Sequence, residues 1–143
     1  MTKFKKKLIS CLILISMLLI ILASSVYADV KSIANGQFVV EARSYIYVPV
    51  TFNYPTQSAK IIGTFRAAGG KDDIKVLVLD QNAMNLFASG NAVFTLYNSG
   101  KVGSGNIEVN LPGNGNYFIV FSNQFSLLTK KTVQAEIYLH TEP

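Results

Sequence analysis

The chain has 143 residues but no tryptophan, one cysteine (Cys11) and one histidine (His140), and only 15% of its residues are charged. Each scarcity excludes something. One thiol cannot close an intrachain disulfide, so stability rests on packing. One histidine with one distant cysteine cannot complete a zinc set, and a nucleophile–histidine–acid triad needs a held imidazole that His140, three residues from the C-terminus, is poorly placed to supply. The absence of tryptophan removes the usual stacking platform for sugars. The longest apolar run, Leu8–Ala23, falls short of the ~20 residues that cross a bilayer. Acidic residues are scarce too. The eight present all lie beyond residue 28, whereas four of the thirteen Lys and Arg (Lys3, Lys5, Lys6, Lys7) lie before it. That leaves nine basic against eight acidic groups in 29–143, a net of +1 out of the whole chain's +5, which rules out reading the chain's basic balance as a nucleic-acid footprint.

The N-terminal segment has a recognisable order. A basic Met1–Lys7 precedes the apolar Leu8–Ala23, and Val26-Tyr27-Ala28 puts small residues where a signal peptidase inspects them. The pattern predicts a signal peptide over 1–28, cut after Ala28, and a secreted or periplasmic domain over 29–143. Leu8-Ile9-Ser10-Cys11 superficially fits a lipoprotein box, but it precedes the apolar region instead of following it. The exported domain is therefore cysteine-free.

Residues 29–143 alternate with period two, the signature of half-buried strands. Ile46, Val48, Val50 and Phe52 share one face of Tyr45–Phe52, and Ile61, Gly63, Phe65 and Ala67 one face of Ala59–Ala67. Asn106–Leu111 and Thr132–His140 alternate likewise. Ile74–Leu79 and Tyr117–Phe121 are apolar on both sides and read as central strands. Phe38–Ala42 and Val93–Tyr97 complete a set of about eight. Turn chemistry separates them at Asn53-Tyr54-Pro55, Ala68-Gly69-Gly70, Asn98-Ser99-Gly100 and Pro112-Gly113-Asn114-Gly115, the last reading as a hairpin. Gln81–Ala88 could form a single helical turn. The fold class is all-β: an antiparallel two-sheet β-sandwich or jelly roll.

Candidate chemistry is thin. His140 reads as a surface group on the last strand. Asp72-Asp73 and Asp80 flank one strand and lie roughly 20 Å apart, too far to share a calcium ion or act as paired carboxylates. Gly100-Lys101-Val102-Gly103-Ser104-Gly105 joins two strands and lacks the strand-to-helix context of a phosphate loop. No catalytic set, metal or cofactor is expected, and the chain does not read as an enzyme.

One segment carries a specific similarity. Tyr117-Phe118-Ile119-Val120-Phe121-Ser122-Asn123-Gln124-Phe125-Ser126, followed by Lys131-Thr132-Val133 and Ile137, resembles the C-terminal half of the GOLD (Golgi dynamics) domain, the luminal β-sandwich of small cargo-receptor proteins of the early secretory pathway. Upstream, Gly63-Thr64-Phe65, Gly69-Gly70 and Asp73-Ile74-Lys75-Val76 look like that family's segment opening a central strand. The resemblance spans roughly 60–140 and is specific only over Phe121–Val133. It implies a β-sandwich that binds a protein or peptide, with Phe121, Ser122, Asn123, Phe125, Ser126, Lys131 and Val133 as family-motif positions of structural character. Val120 stands where the family has a cysteine, and no coiled coil or membrane span follows the sandwich, so the chain looks more like a secreted prokaryotic relative.

Two functional classes follow. The first is an exported, non-enzymatic interaction module for an extracytoplasmic protein or peptide, with Tyr45, Tyr47 and Tyr54 as the partner surface. The alternative is a carbohydrate-binding sandwich, with or without calcium, taking a glycan. On the residues' own reading, Asn123 shapes the exit from a central strand, and Phe125 pins a long loop to the edge of the sandwich.

Overall fold

A computed structural model describes residues 28–53 and 58–142. The signal-peptide reading and Tyr54 lie outside these residues, apart from Ala28. Eight strands and one helix are present among them: β1 Asp29–Val40, β2 Tyr45–Phe52, β3 Ser58–Ala68, β4 Ile74–Asp80, α1 Gln81–Ala88, β5 Tyr97–Val102, β6 Ser104–Leu111, β7 Gly115–Ser122 and β8 Lys131–Glu142. They form two four-stranded antiparallel sheets, β1-β8-β3-β6 (sheet A) and β2-β7-β4-β5 (sheet B). The two-sheet sandwich expected from the sequence is the architecture found.

The period-two pattern explains why. Inward side chains Ile61, Phe65, Ile107, Val133 and Ile137 of sheet A meet Val50, Val76, Val78, Ile119 and Phe121 of sheet B, all buried. Phe38 and Phe121 meet edge-on at 4.8 Å between ring centroids, the geometry the aromatic quadrupole favours. β4 and β7 are apolar on both sides because α1 covers the outer face of sheet B. There Leu77, Leu79 and Val120 pack with Ala83 and Met84 in a second, smaller cluster. Asp80 caps that helix by accepting from Ala83 N at 2.8 Å. The segment Gln81–Ala88 is thus two turns of helix instead of one.

Three other expectations are corrected. Pro112–Gly115 is no hairpin: β6 belongs to sheet A and β7 to sheet B, so these residues carry the chain across the core. The expected strand Val93–Tyr97 is mostly irregular, and the strand runs instead over Tyr97–Val102, through the Asn98-Ser99-Gly100 residues read as a turn. There the β4–β5 ladder slips between Lys75 and Leu77, and Val76 N donates to Ser99 Oγ at 2.8 Å in place of a backbone partner. Of Phe38–Ala42, Phe38–Val40 is the tail of the much longer β1, while Glu41 and Ala42 lie in the β1–β2 turn. The polar first half of β1 is held by pairing with β8, which runs from Asp29↔Thr141 to Val40↔Lys131.

The ladder of sheet A is irregular near its middle. β1 slips register between Ser32 and Ala34, opposite Tyr138 and Ile137, and a bulge of this kind kinks its strand. At the same level Gly63 of β3 lies against β8 so closely that a Cβ would sit 2.4 Å from Glu136 O.

Candidate functional site

Three surfaces bear on function: the outer face of sheet A, the outer face of sheet B, and the end of the sandwich where the β7–β8 loop lies.

The outer face of sheet A is polar and grooved. Cross-strand partners share a face, so the register sets its rows. Asn35, Glu136, Thr64 and Asn106 form one row, Gln37, Gln134, Arg66 and Ser104 the next, and Ser32, Tyr138, Ile62 and Glu108 the one on the other side. A depression of about 580 Å³ is lined by Thr64, Arg66, Asn106, Gln134 and Glu136. A second, of about 420 Å³, shares Thr64, Asn106 and Glu136 with it and adds Ile62, Glu108 and Tyr138. A third shares Ile62 and ends at Lys60, Asn110, His140 and Glu142. They follow β3 from Arg66 to Ser58, roughly 26 Å at about 3.3 Å per residue. Lys60 Nζ pairs with Glu108 Oε1 at 3.0 Å across it, an exposed bridge that adds little stability. His140 is half-buried at the far end, in register with Lys60.

The outer face of sheet B carries two of the three tyrosines singled out in the sequence, Tyr45 and Tyr47, and it separates them. Tyr45 is half-buried edge-on against Phe87 of α1, at 5.0 Å. Tyr47 is 51% exposed, edge-on to Phe118 at 5.7 Å. Tyr45 therefore belongs to the apolar seam under the helix, while Tyr47 presents to solvent.

At the end of the sandwich the motif residues come together. Asn123, fully buried, donates from Nδ2 to Thr129 O (2.8 Å), Glu41 O (3.2 Å) and Val40 O (3.3 Å). It ties the β7–β8 loop to itself and to the β1–β2 turn. Ser126 Oγ donates to Thr129 O at 2.9 Å, and Ser122 Oγ to Gln124 Oε1 at 3.2 Å. Phe121 and Val133 are core residues. Lys131 is buried, its Nζ bonded to Asp73 Oδ1 (2.6 Å) and Gly69 O (2.8 Å). Phe125 is half-buried, beneath the ammonium of Lys101 at 4.8 Å. The sequence singled out Phe125 and Lys131, but nothing local linked either to Lys101 or Asp73.

The acidic residues weighed as metal ligands have other engagements. Asp72 Oδ1 accepts from Gly69 N at 2.7 Å in the β3–β4 turn, Asp73 holds Lys131, and Asp80 caps α1. Among the described residues no group of three or more His, Cys, Asp or Glu converges as a metal set.

No protein-family model matches the chain, and no curated protein matches it. Solved structures with a similar backbone include the Yersinia pseudotuberculosis-derived mitogen, at 8% identity and TM-score 0.46, covering 81% of this chain and 86% of that one. A point mutant of a family 29 carbohydrate-binding module aligns at 9% identity and TM-score 0.45, covering 80% and 87%. The K1 cleaved adhesin domain of Lys-gingipain from Porphyromonas gingivalis W83 aligns at 12% identity and TM-score 0.47, covering 79% and 97%.

Proposed function

We propose that the chain is an exported, non-enzymatic binding module whose ligand is a glycan laid along the outer face of sheet A. The observation that carries this reading is the groove over β8, β3 and β6, made of three depressions in a row: the first two share Thr64, Asn106 and Glu136, and the second and third share Ile62. A sugar presents hydroxyls that both donate and accept, and a patchily apolar ring face. Amides and carboxylates such as Asn106, Gln134 and Glu136 match the first, and the Tyr138 ring beside Ile62 matches the second. Several rings in a row suit an elongated, shallow site better than a closed pocket. The test is a neutral glycan array probed with protein recovered from a host expressing the full chain. Binding lost on Tyr138→Ala together with Asn106→Ala, with melting unchanged, supports the groove. An array with no neutral ligand, or a double variant that binds as well as wild type, rejects it.

A protein or peptide partner, as the GOLD resemblance implies, is the second reading, and Tyr47 favours it. An exposed tyrosine propped edge-on against a second ring offers large contact area at low entropic cost. Export is part of both readings. Intact mass of the released protein should correspond to a chain beginning at Asp29.

A further inference from the structure

Positive charge collects at one end of the sandwich. β1, β3, β5 and β7 finish there, and β2, β4, β6 and β8 begin there. Arg43, Lys71, Lys75, Lys101, Lys130 and Lys131 all lie in its turns or near its strand ends, six of the nine basic residues in 29–143. Only Glu41, Asp72 and Asp73 oppose them.

Within this end lies a cleft of about 380 Å³ between the β3–β4 turn, β5 and the β7–β8 loop, lined by Lys71, Asp73, Lys101, Phe125, Thr129 and Lys131 among others. Asp73 neutralises Lys131. Lys71 and Lys101 have no ion-pair partner among the described residues. Lys101 also stands directly opposite Lys75 in the β4–β5 register, and like charges so placed repel. The ammoniums of Lys101 and Lys131 lie 4.8 and 6.0 Å from the same Phe125 ring centroid, so they are within about 11 Å of each other. Three cations from three separate segments thus converge on one concavity with a single carboxylate between them. An entering anion would turn that repulsion into attraction. The apolar Phe125 on the wall favours an anion carried on a carbon skeleton over a bare inorganic ion.

We propose that this cleft is a binding site for a carboxylated sugar residue: Lys71 and Lys101 take the carboxylate, and Phe125 and the Thr129 hydroxyl line the ring. The proposal extends the glycan reading to acidic sugars, but it uses residues that the groove on sheet A does not. Its failure is therefore distinguishable from the groove's.

The probes are oligogalacturonate, the neutral galactose oligomer of equal length, and acetate alone, titrated by calorimetry into protein recovered from a host expressing the full chain. Oligogalacturonate should bind, and binding should weaken at least about tenfold as salt rises from about 50 to about 500 mM, as expected of partly exposed charges. Lys71→Ala combined with Lys101→Ala should weaken it at least about tenfold again, whereas Tyr138→Ala should leave it unchanged. Lys101→Ala relieves the repulsion from Lys75 while giving up the contact with the Phe125 ring, so its melting temperature should change little, which separates lost binding from lost folding. A Lys101→Gln variant repeats the test should the alanine pair unfold. The proposal is overturned if oligogalacturonate does not bind, if the lysine variants bind it normally, if the neutral oligomer binds as tightly, or if acetate competes as well as the oligomer. Loss of oligogalacturonate binding on Tyr138→Ala but not on the lysine variants would overturn it too, by assigning the acidic sugar to sheet A.

Discussion

Lys131 Nζ lies 2.6 Å from Asp73 Oδ1, with the lysine side chain 3% exposed and the aspartate 20%. The pair joins the first residue of β8, in sheet A, to the residue before β4, in sheet B, so one ion pair staples the two sheets where the chain enters both. A buried pair is not itself a source of much stability, but removing one partner strands the other's charge. Asp73→Ala should cost about 3–5 kcal/mol, read as a shift in the urea midpoint. Adding Lys131→Met should recover most of that loss. A single variant as stable as wild type would show that the lysine escapes to solvent.

Asn123 should be nearly irreplaceable. Its amide serves three carbonyls, Thr129 O, Glu41 O and Val40 O, and it is buried where water cannot substitute. Asn123→Ala should cost about 2–4 kcal/mol, from the acceptors left without a donor. Asn123→Asp should be worse, because a carboxylate faces those carbonyls with no proton to give. Thermal melts of both variants check the order.

The close approach at Gly63 gives a paired test. An added Cβ there meets Glu136 O at 2.4 Å and Ile137 Cα at 2.8 Å, both backbone, whereas at Gly113 nothing lies within 4 Å. Gly63→Ala should destabilise by more than about 2 kcal/mol. Gly113→Ala should fall within about 0.5 kcal/mol of wild type. Equal effects would mean that β3 and β8 can separate freely at this level.

Tyr97 should mark the alkaline limit. Its hydroxyl donates to Asn106 O at 2.8 Å, linking edge strand β5 to edge strand β6 of the other sheet. Burial pushes its phenol above the ordinary tyrosine value of 10.0. The folded protein therefore holds this proton more tightly than the unfolded chain. The stability it contributes is present below pH 10.0 and lost as pH rises from there through the higher folded value. Tyr97→Phe should flatten the stability profile above pH 10, and a late-titrating phenol in the tyrosinate absorbance of wild type should be lost in the variant.

The outcome at the two adjacent tyrosines shows how far a strand pattern reaches. Alternation in Tyr45–Phe52 correctly faced Ile46, Val48, Val50 and Phe52 inward, because one buried face is enough to fix side-chain direction. It could not show that α1 lies over Tyr45 and leaves Tyr47 open, since that depends on a helix more than thirty residues away. Turn-forming residues misled for a related reason. Asn98-Ser99-Gly100 can be strand because the Ser99 hydroxyl supplies a missing ladder acceptor, and Pro112–Gly115 links two sheets instead of two neighbours. The first half of β1 is not legible as strand, because Ser32, Asn35 and Gln37 carry no apolar alternation and β8 alone holds them extended. Both candidate sites were illegible for the same reason. Asn106, Gln134 and Glu136, like Lys71, Lys101 and Lys131, are ordinary surface residues until the register places them together.

The β1–β8 register also fixes how the domain bears load. Asp29 pairs with Thr141, so the first strand and the last begin and end side by side. Tension applied between those two ends peels the ladder open one rung at a time, starting at Asp29↔Thr141, instead of straining all its rungs at once. An antiparallel pair pulled from adjacent ends is a zipper and resists weakly. The same domain pulled through the opposite end of β1, near Val40, would load the ladder in shear and hold far better. Attachment direction alone thus makes this sandwich mechanically soft or stiff.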